Sequence, residues 1–133
     1  MQEKKYEIPL QPVPLQRARA GFKGGHHFYD PQQRVKIAIG LYFCNQHGST
    51  PKFQGPLAVE ALFYLPIPQN KKEKYHPIYH YRRPDLDNFL KFVLDAITQT
   101  EVIWEDDSQV SEIFTKKIYA KKPHMEITIR ELI

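Results

Sequence analysis

Two aspartates one residue apart, Asp85 and Asp87, follow two arginines, Arg82 and Arg83, in the stretch RRPDLDNFLKFVLDAI. Lys91 comes four residues after Asp87, and further on WEDDSQV sets Glu105, Asp106 and Asp107 in a row. Gathered carboxylates repel one another unless a positive charge lies between them. Mg2+ is the usual answer: it takes hard oxygen ligands, keeps several waters and binds through one or two carboxylates plus substrate phosphate. Asp85 and Asp87 bracket Leu86, so in an extended or turning backbone both side chains can meet one ion while Leu86 points inward. A third carboxylate would come from the acidic row. Lys91 lies one helical turn from Asp87 on the same face. Its ammonium can reach the acids or a scissile phosphate, which is the equipment of metal-assisted phosphodiester hydrolysis.

Each feature also has a plainer use. An aspartate at a helix start caps backbone amides and suits the helix dipole. Asp87–Lys91 and Lys91–Asp95 are ordinary pairs at i,i+4 spacing, and an acidic turn can simply be solvated. His26, His27 and Cys44 match no familiar zinc spacing.

These residues need elements to hold them. Leu86, Leu90, Val93 and Ile97 recur at helical spacing, with Phe89, Phe92 and Ala96 as a broader second face, and predict a helix beginning near Asp87 or Asn88. Asp30 and Pro31 read as the start of another helix through QQRVKIAIGLYFCNQ, ending near Gly48. Its expected face is Val35, Ala38, Ile39 and Tyr42, widened by Ile37 and Leu41; Gly40 weakens the pattern. KKYEIPL and PLAVEALFYLPIP read as strands, the second ended by Pro66 and Pro68. EIFTKKIYAKK and HMEITIREL read as two closing strands with KKPH as the turn. The stretches QPVPLQRARAGFKGGHHFYDP and QNKKEKYHPIYHYRR read as loops. Interspersed helices and strands give an α+β fold, a mixed sheet with helices packed on it.

The chain has 133 residues, a formal charge of +4 and a single cysteine, Cys44. That length predicts one domain, residues 1–133, able to bury a core without staples. One cysteine excludes an internal disulfide and fits a reducing cytosol. MQEKKYEIPLQPVPL lacks the apolar run of a signal peptide, and no stretch approaches a membrane span. A cytoplasmic protein with no membrane partner is the expectation.

The combination RRPDLDNFLKFVLDAI with DDSQV resembles the RusA family of Holliday-junction resolvases. The D-L-D-N core, the lysine four residues after its second aspartate, the L-D-A continuation and the downstream D-D-x-Q-V carry the likeness, densely from Arg82 to Val110. The proline-bearing basic stretch near Pro14–Arg19 and the Pro31 helix start extend it weakly. The resemblance implies a homodimeric, Mg2+-dependent endonuclease, with Mn2+ as a substitute and no small-molecule cofactor. Such an enzyme resolves four-way junction DNA in recombination and repair by paired symmetric nicks with 5′-phosphate ends. It carries metal-ligand roles onto Asp85, Asp87 and Asp107, and a catalytic lysine onto Lys91. Asp107 stands directly before S-Q-V, where the family's third acid stands. The segment between Thr98 and Asp106 looks about one residue long by comparison, so Asp106 remains the alternative ligand. Glu101 stands where glycine or another small residue is expected.

DNA must be drawn to an acidic patch by basic groups that contact phosphates. The candidates are Arg17, Arg19, Lys23, Lys71, Lys72, Lys74, Arg82 and Arg83. Tyr75, Tyr79 and Tyr81 can pack on sugars or unstacked bases, though packing against the sheet is the expected use. Two rival functions stay open: a non-catalytic nucleic-acid-binding recombination accessory module, and a metal-dependent nuclease preferring flaps or forks.

Overall fold

The computed structural model describes residues 1–16, 19–20, 28–29, 31–69 and 78–133. Strand β1 (Glu3–Ile8) opens the chain, followed by two short strands, β2 (Arg19–Ala20) and β3 (Phe28–Tyr29), and helix α1 (Gln33–His47). Strand β4 (Leu57–Pro66) precedes helix α2 (Leu86–Thr100), a 3-10 turn at Asp107–Gln109, and strands β5 (Val110–Ala120) and β6 (His124–Glu131). The main sheet has the order β1-β6-β4-β5, and β2 pairs with β3 apart from it. Where the sequence reads as an unbroken loop, Arg19 lies opposite Tyr29 and Ala20 opposite Phe28. Two-residue strands are too short to show a period.

The sheet is mixed because β4 pairs parallel with β5 and antiparallel with β6. The two closing strands are therefore not neighbours, although a short turn joins them: β4 lies between them. Along β4, burial alternates strictly, Leu57, Val59, Ala61, Phe63 and Leu65 facing the core. Met125, Ile127 and Ile129 of β6 and Tyr6 and Ile8 of β1 continue the same apolar face. Both helices close over it: Phe89 of α2 stacks on Phe63 with ring centroids 5.5 Å apart, and Phe43 of α1 meets Tyr6 at 5.2 Å. Each such fully buried side chain contributes roughly 1.5–3 kcal/mol.

The two helices differ in how well sequence marks their faces. In α2 the buried residues are Phe89, Phe92, Val93, Leu94, Ala96 and Ile97, whereas Leu86 and Leu90 are only half-buried at the core's margin. The broader aromatic face is thus the main contact. In α1 only Ile39 of the expected face is buried. Lys36, Ile39, Gly40, Phe43 and His47 are buried, while Val35, Ile37, Leu41 and Tyr42 are exposed. α1 is apolar on every side, so periodicity selects no face; close approach to α2 does. A Cβ at Gly40 would meet Thr100 Cγ2 at 3.3 Å and the Ala96 carbonyl at 3.8 Å. The helix begins at Gln33, after Pro31, with Gly48 closing it at φ 56°; Asp30 lies outside the described residues.

His47 ends α1 in the core, its Nδ1 2.6 Å from the Tyr6 hydroxyl of β1. Burial holds its pKa below the ordinary value, with help from Lys4. The unfolded chain, with its histidine near 6.5, then binds the extra proton more readily than the folded one. Stability from this group is present above about pH 6.5 and is lost as pH falls below that value. Melting curves between pH 5 and 8 should show Tm falling on the acid side, less steeply in His47→Gln. Equal slopes would remove His47 as the source.

Candidate active site

α2 starts where the sequence changes from basic to acidic. Asp85 is its N-cap residue, with extended backbone (φ −70°, ψ 146°), and its carbonyl accepts from the amides of Asn88 and Phe89 at 3.2 and 3.4 Å. Its carboxylate makes no capping bond. The plain reading of Asp85 as a side-chain cap therefore fails, and its oxygens stay available. Asp87 sits in the first exposed turn of the helix.

The side-chain cap is found instead at the acidic row. Asp106 accepts from the Ser108 amide at 3.2 Å, and Gln109 Oε1 accepts from the amides of Glu105 and Asp106 at 2.9 and 3.1 Å. This capping box closes the 3-10 turn. Bonds from the Ser108 hydroxyl and amide hold the Asp106 carboxyl below its usual range. Gln109 Nε2 also donates to the carbonyls of Phe53 and Gly55, at 3.4 and 3.1 Å, docking the turn on the loop before β4. Behind it, Trp104 is fully buried and donates to Thr98 Oγ1 at 2.8 Å.

So held, the turn presents Asp107 to α2. Asp107 Oδ2 is 3.9 Å from Lys91 Nζ, and Asp95 Oδ1 is 3.6 Å from the same ammonium. Asp95 also meets Lys36 Nζ at 3.9 Å, a lysine side chain only 7% exposed. Lys36, Asp95, Lys91 and Asp107 form a file of alternating charge from the core to the surface. Among the described residues Lys91 pairs with Asp95 and Asp107, not with Asp87. The structure thus brings the two motifs together through Lys91.

The donor set is all carboxylate oxygen, which suits a hard dication and not a soft one. Among the described residues no three of His, Cys, Asp and Glu are grouped closely enough to hold an ion. The fit is therefore one of donor chemistry: Asp85 is uncommitted to its helix and Asp107 faces the Lys91 side of α2.

Three supporting contacts carry no sequence motif. Gln32, buried before α1, donates to the Pro14 carbonyl at 2.7 Å and accepts from the Gln16 amide at 2.8 Å. The Leu15 amide donates to the Asn88 carbonyl at 3.0 Å, so residues 14–16 lie along the start of α2. Pro14 and Leu15 border, with Arg83, Pro84, Asp85 and Asn88, an open cleft of about 520 Å³. Lys117 of β5 donates to the carbonyls of Arg82 and Pro84 at 2.7 and 2.9 Å. Burial lowers its pKa, and the Asp85 carboxylate opposes that shift.

Of the basic candidates, Arg82 and Arg83 are exposed immediately before Asp85, and Arg82 lies over the Tyr81 ring at 5.6 Å. Tyr79 and Tyr81 are exposed as well. Arg17, Lys23, Lys71, Lys72, Lys74 and Tyr75 lie outside the described residues, as do His26 and His27; Arg19 is described only by its backbone in β2.

A mixed sheet carrying two helices, with an acidic turn beside the second of them, defines a small α+β domain. Residues 9–130 match the family Endodeoxyribonuclease RusA, and the chain belongs to that family. It is 31% identical over 139 aligned residues to Uncharacterized protein YqaN of Bacillus subtilis (strain 168), covering 96% of each chain. It is 28% identical over 131 residues to the Crossover junction endodeoxyribonuclease rusA of Lactococcus phage r1t, covering 96% of this chain and 97% of the phage protein.

Proposed function

We propose that the chain is a Mg2+-dependent endodeoxyribonuclease that resolves four-way DNA junctions by paired symmetric nicks, working in the cytoplasm as a homodimer in recombination and repair. The observation that carries this reading is the 3.9 Å approach of Asp107 to Lys91, which joins the acidic turn to the helix of Asp85 and Asp87. Family membership supports the nuclease chemistry, and the phage relative's name supports the junction as substrate. Asp85, Asp87 and Asp107 would hold the ion; Asp106 is the weaker alternative because its carboxylate is used in capping. When bound, the ion polarises a phosphoryl oxygen and lowers the pKa of a water. Lys91 supplies positive charge to the phosphate as its P–O3′ bond gives way to the bond from water, leaving a 5′-phosphate and a 3′-hydroxyl. Arg82 and Arg83 hold the strand beside Asp85. Two-fold symmetry would present one such site to each of two equivalent strands.

The test is to incubate purified protein with a mobile four-way junction, a fork and linear duplex, with and without Mg2+. Paired nicks in the junction alone support the proposal. Cleavage without junction preference would indicate a nuclease for other branched substrates. No cleavage under any condition, with junction binding kept, would indicate an accessory module.

Salt dependence checks the arginines. Neutralising Z phosphates gives a slope of roughly −0.9Z in log affinity against log salt. Arg82→Ala with Arg83→Ala should weaken junction binding and flatten that slope by about one to two units. An unchanged slope with lowered Tm would make the pair internal counter-charges.

A further inference from the structure

Asp85 must be held in place by something other than its own side chain, because that side chain makes no capping bond. On its C-terminal side the helix holds it, through the Asn88 and Phe89 amides on its carbonyl. On its N-terminal side the chain arrives as Arg82, Arg83 and Pro84, and those three residues are exposed or only half-buried. The anchor there comes from a distant strand. Lys117 lies on the core-facing side of β5, opposite Phe63 of β4. Its Nζ donates to the Arg82 carbonyl at 2.7 Å and to the Pro84 carbonyl at 2.9 Å. One of these carbonyls belongs to the residue immediately before Asp85. Charge-assisted bonds of this length are about twice as strong as neutral ones, and removing the ammonium releases both carbonyls. The same edge of β5 takes the chain just upstream: the His80 amide donates to the Lys117 carbonyl at 3.1 Å, and the Tyr119 amide to the Ile78 carbonyl at 3.0 Å.

We propose that Lys117 is a positioning residue of the site: its ammonium clamps the carbonyls of Arg82 and Pro84 and thereby fixes where the Asp85 carboxylate stands. The inference rests on the reading of Asp85 as a metal ligand. It gives β5 a part in the chemistry that the acidic and D-L-D-N motifs do not reveal.

The experiment compares Lys117→Met, which keeps the stem and removes the ammonium, with Lys117→Arg and with Asp85→Asn. Four quantities are read: kcat on saturating junction, Mn2+ affinity of the DNA-free protein by electron paramagnetic resonance, junction Kd in EDTA, and Tm. Lys117→Met should lower kcat tenfold or more and weaken Mn2+ binding several-fold, with junction Kd changed less than threefold. Lys117→Arg should restore part of both. In the Asp85→Asn background, Lys117→Met should cause no further loss of Mn2+ affinity. Should Lys117→Met not fold, Lys117→Gln, which keeps one donor group, is read by the same measures. Wild-type kcat and Mn2+ affinity in folded Lys117→Met would overturn the proposal. Tighter Mn2+ binding would overturn it too, because the ammonium would then be only a counter-charge to Asp85. If Asp85→Asn itself keeps cleavage and Mn2+ binding, the ligand reading falls and the clamp has nothing to position. If Asp85→Asn loses both while Lys117→Met matches wild type, the clamp alone falls.

Discussion

Asparagine at Asp85, Asp87 or Asp107 should reduce junction cleavage by about a hundredfold or more, equivalent to about 2.7 kcal/mol of transition-state stabilisation. Asparagine keeps the shape and removes the charge that a dication needs. Junction affinity should hold or rise, since an acid that repels phosphate has been neutralised. Asp106 provides the contrast. Its carboxylate caps the 3-10 turn through the Ser108 amide, and asparagine caps nearly as well as aspartate. Asp106→Asn should therefore cut junctions at close to the wild-type rate. Single-turnover cleavage of a labelled junction, beside gel-shift binding in EDTA, measures both quantities. An active Asp87→Asn protein would dismantle the metal assignment. A dead Asp106→Asn with a live Asp107→Asn would move the third ligand by one residue.

Lys91→Ala should separate activity from stability. The side chain is 56% exposed and its partners, Asp95 and Asp107, stand at 3.6 and 3.9 Å. Exposed pairs of that length contribute well under 1 kcal/mol, so Tm should scarcely move. If the ammonium meets charge developing on the phosphate, the cleavage rate should drop on the order of a hundredfold. Lys91→Arg should recover only part of it, because a planar guanidinium cannot take the place of a compact ammonium between two carboxylates. Unaltered cleavage by Lys91→Ala would leave Lys91 as a surface pair and nothing more.

What sequence shows of this chain follows how local the controlling physics is. α2 and β4 are legible because one face of each is apolar at the right period. The D-L-D-N and D-D-S-Q-V segments are legible because their residues form a dense, ordered motif. The buried face of α1 is not, since apolar residues surround that helix and Gly40 alone marks where α2 approaches. Strand order is hidden too: nothing local to β5 or β6 says that β4 runs between them. The site's supports are hidden for the same reason. Lys117 belongs to a strand of alternating appearance, and Gln32 reads as one more polar residue before a helix. Glu101 shows the opposite case. Its departure from a small residue at the end of α2 is visible in sequence, and the structure gives the reason for the expectation. It adopts left-handed backbone at φ 63°, ψ 2°, where a side chain costs roughly 1 kcal/mol relative to glycine.

The parallel pairing of β4 with β5 governs when a nascent chain becomes dangerous to nucleic acid. Leu57 lies opposite Val110, and the chain between them carries α2 and the acidic turn. Closing so long a crossover costs entropy before any contact repays it, so this pairing belongs to the slow class of folding events. Until it closes, Asp107 has no fixed relation to Lys91, and Lys117 has none to the residues before Asp85. Every chemical group of the proposed nuclease is already present in the unfolded polypeptide, but the site is not. Competence to cut then waits on long-range pairing, and a truncated or misfolded chain that lacks it carries the same acids without their hazard.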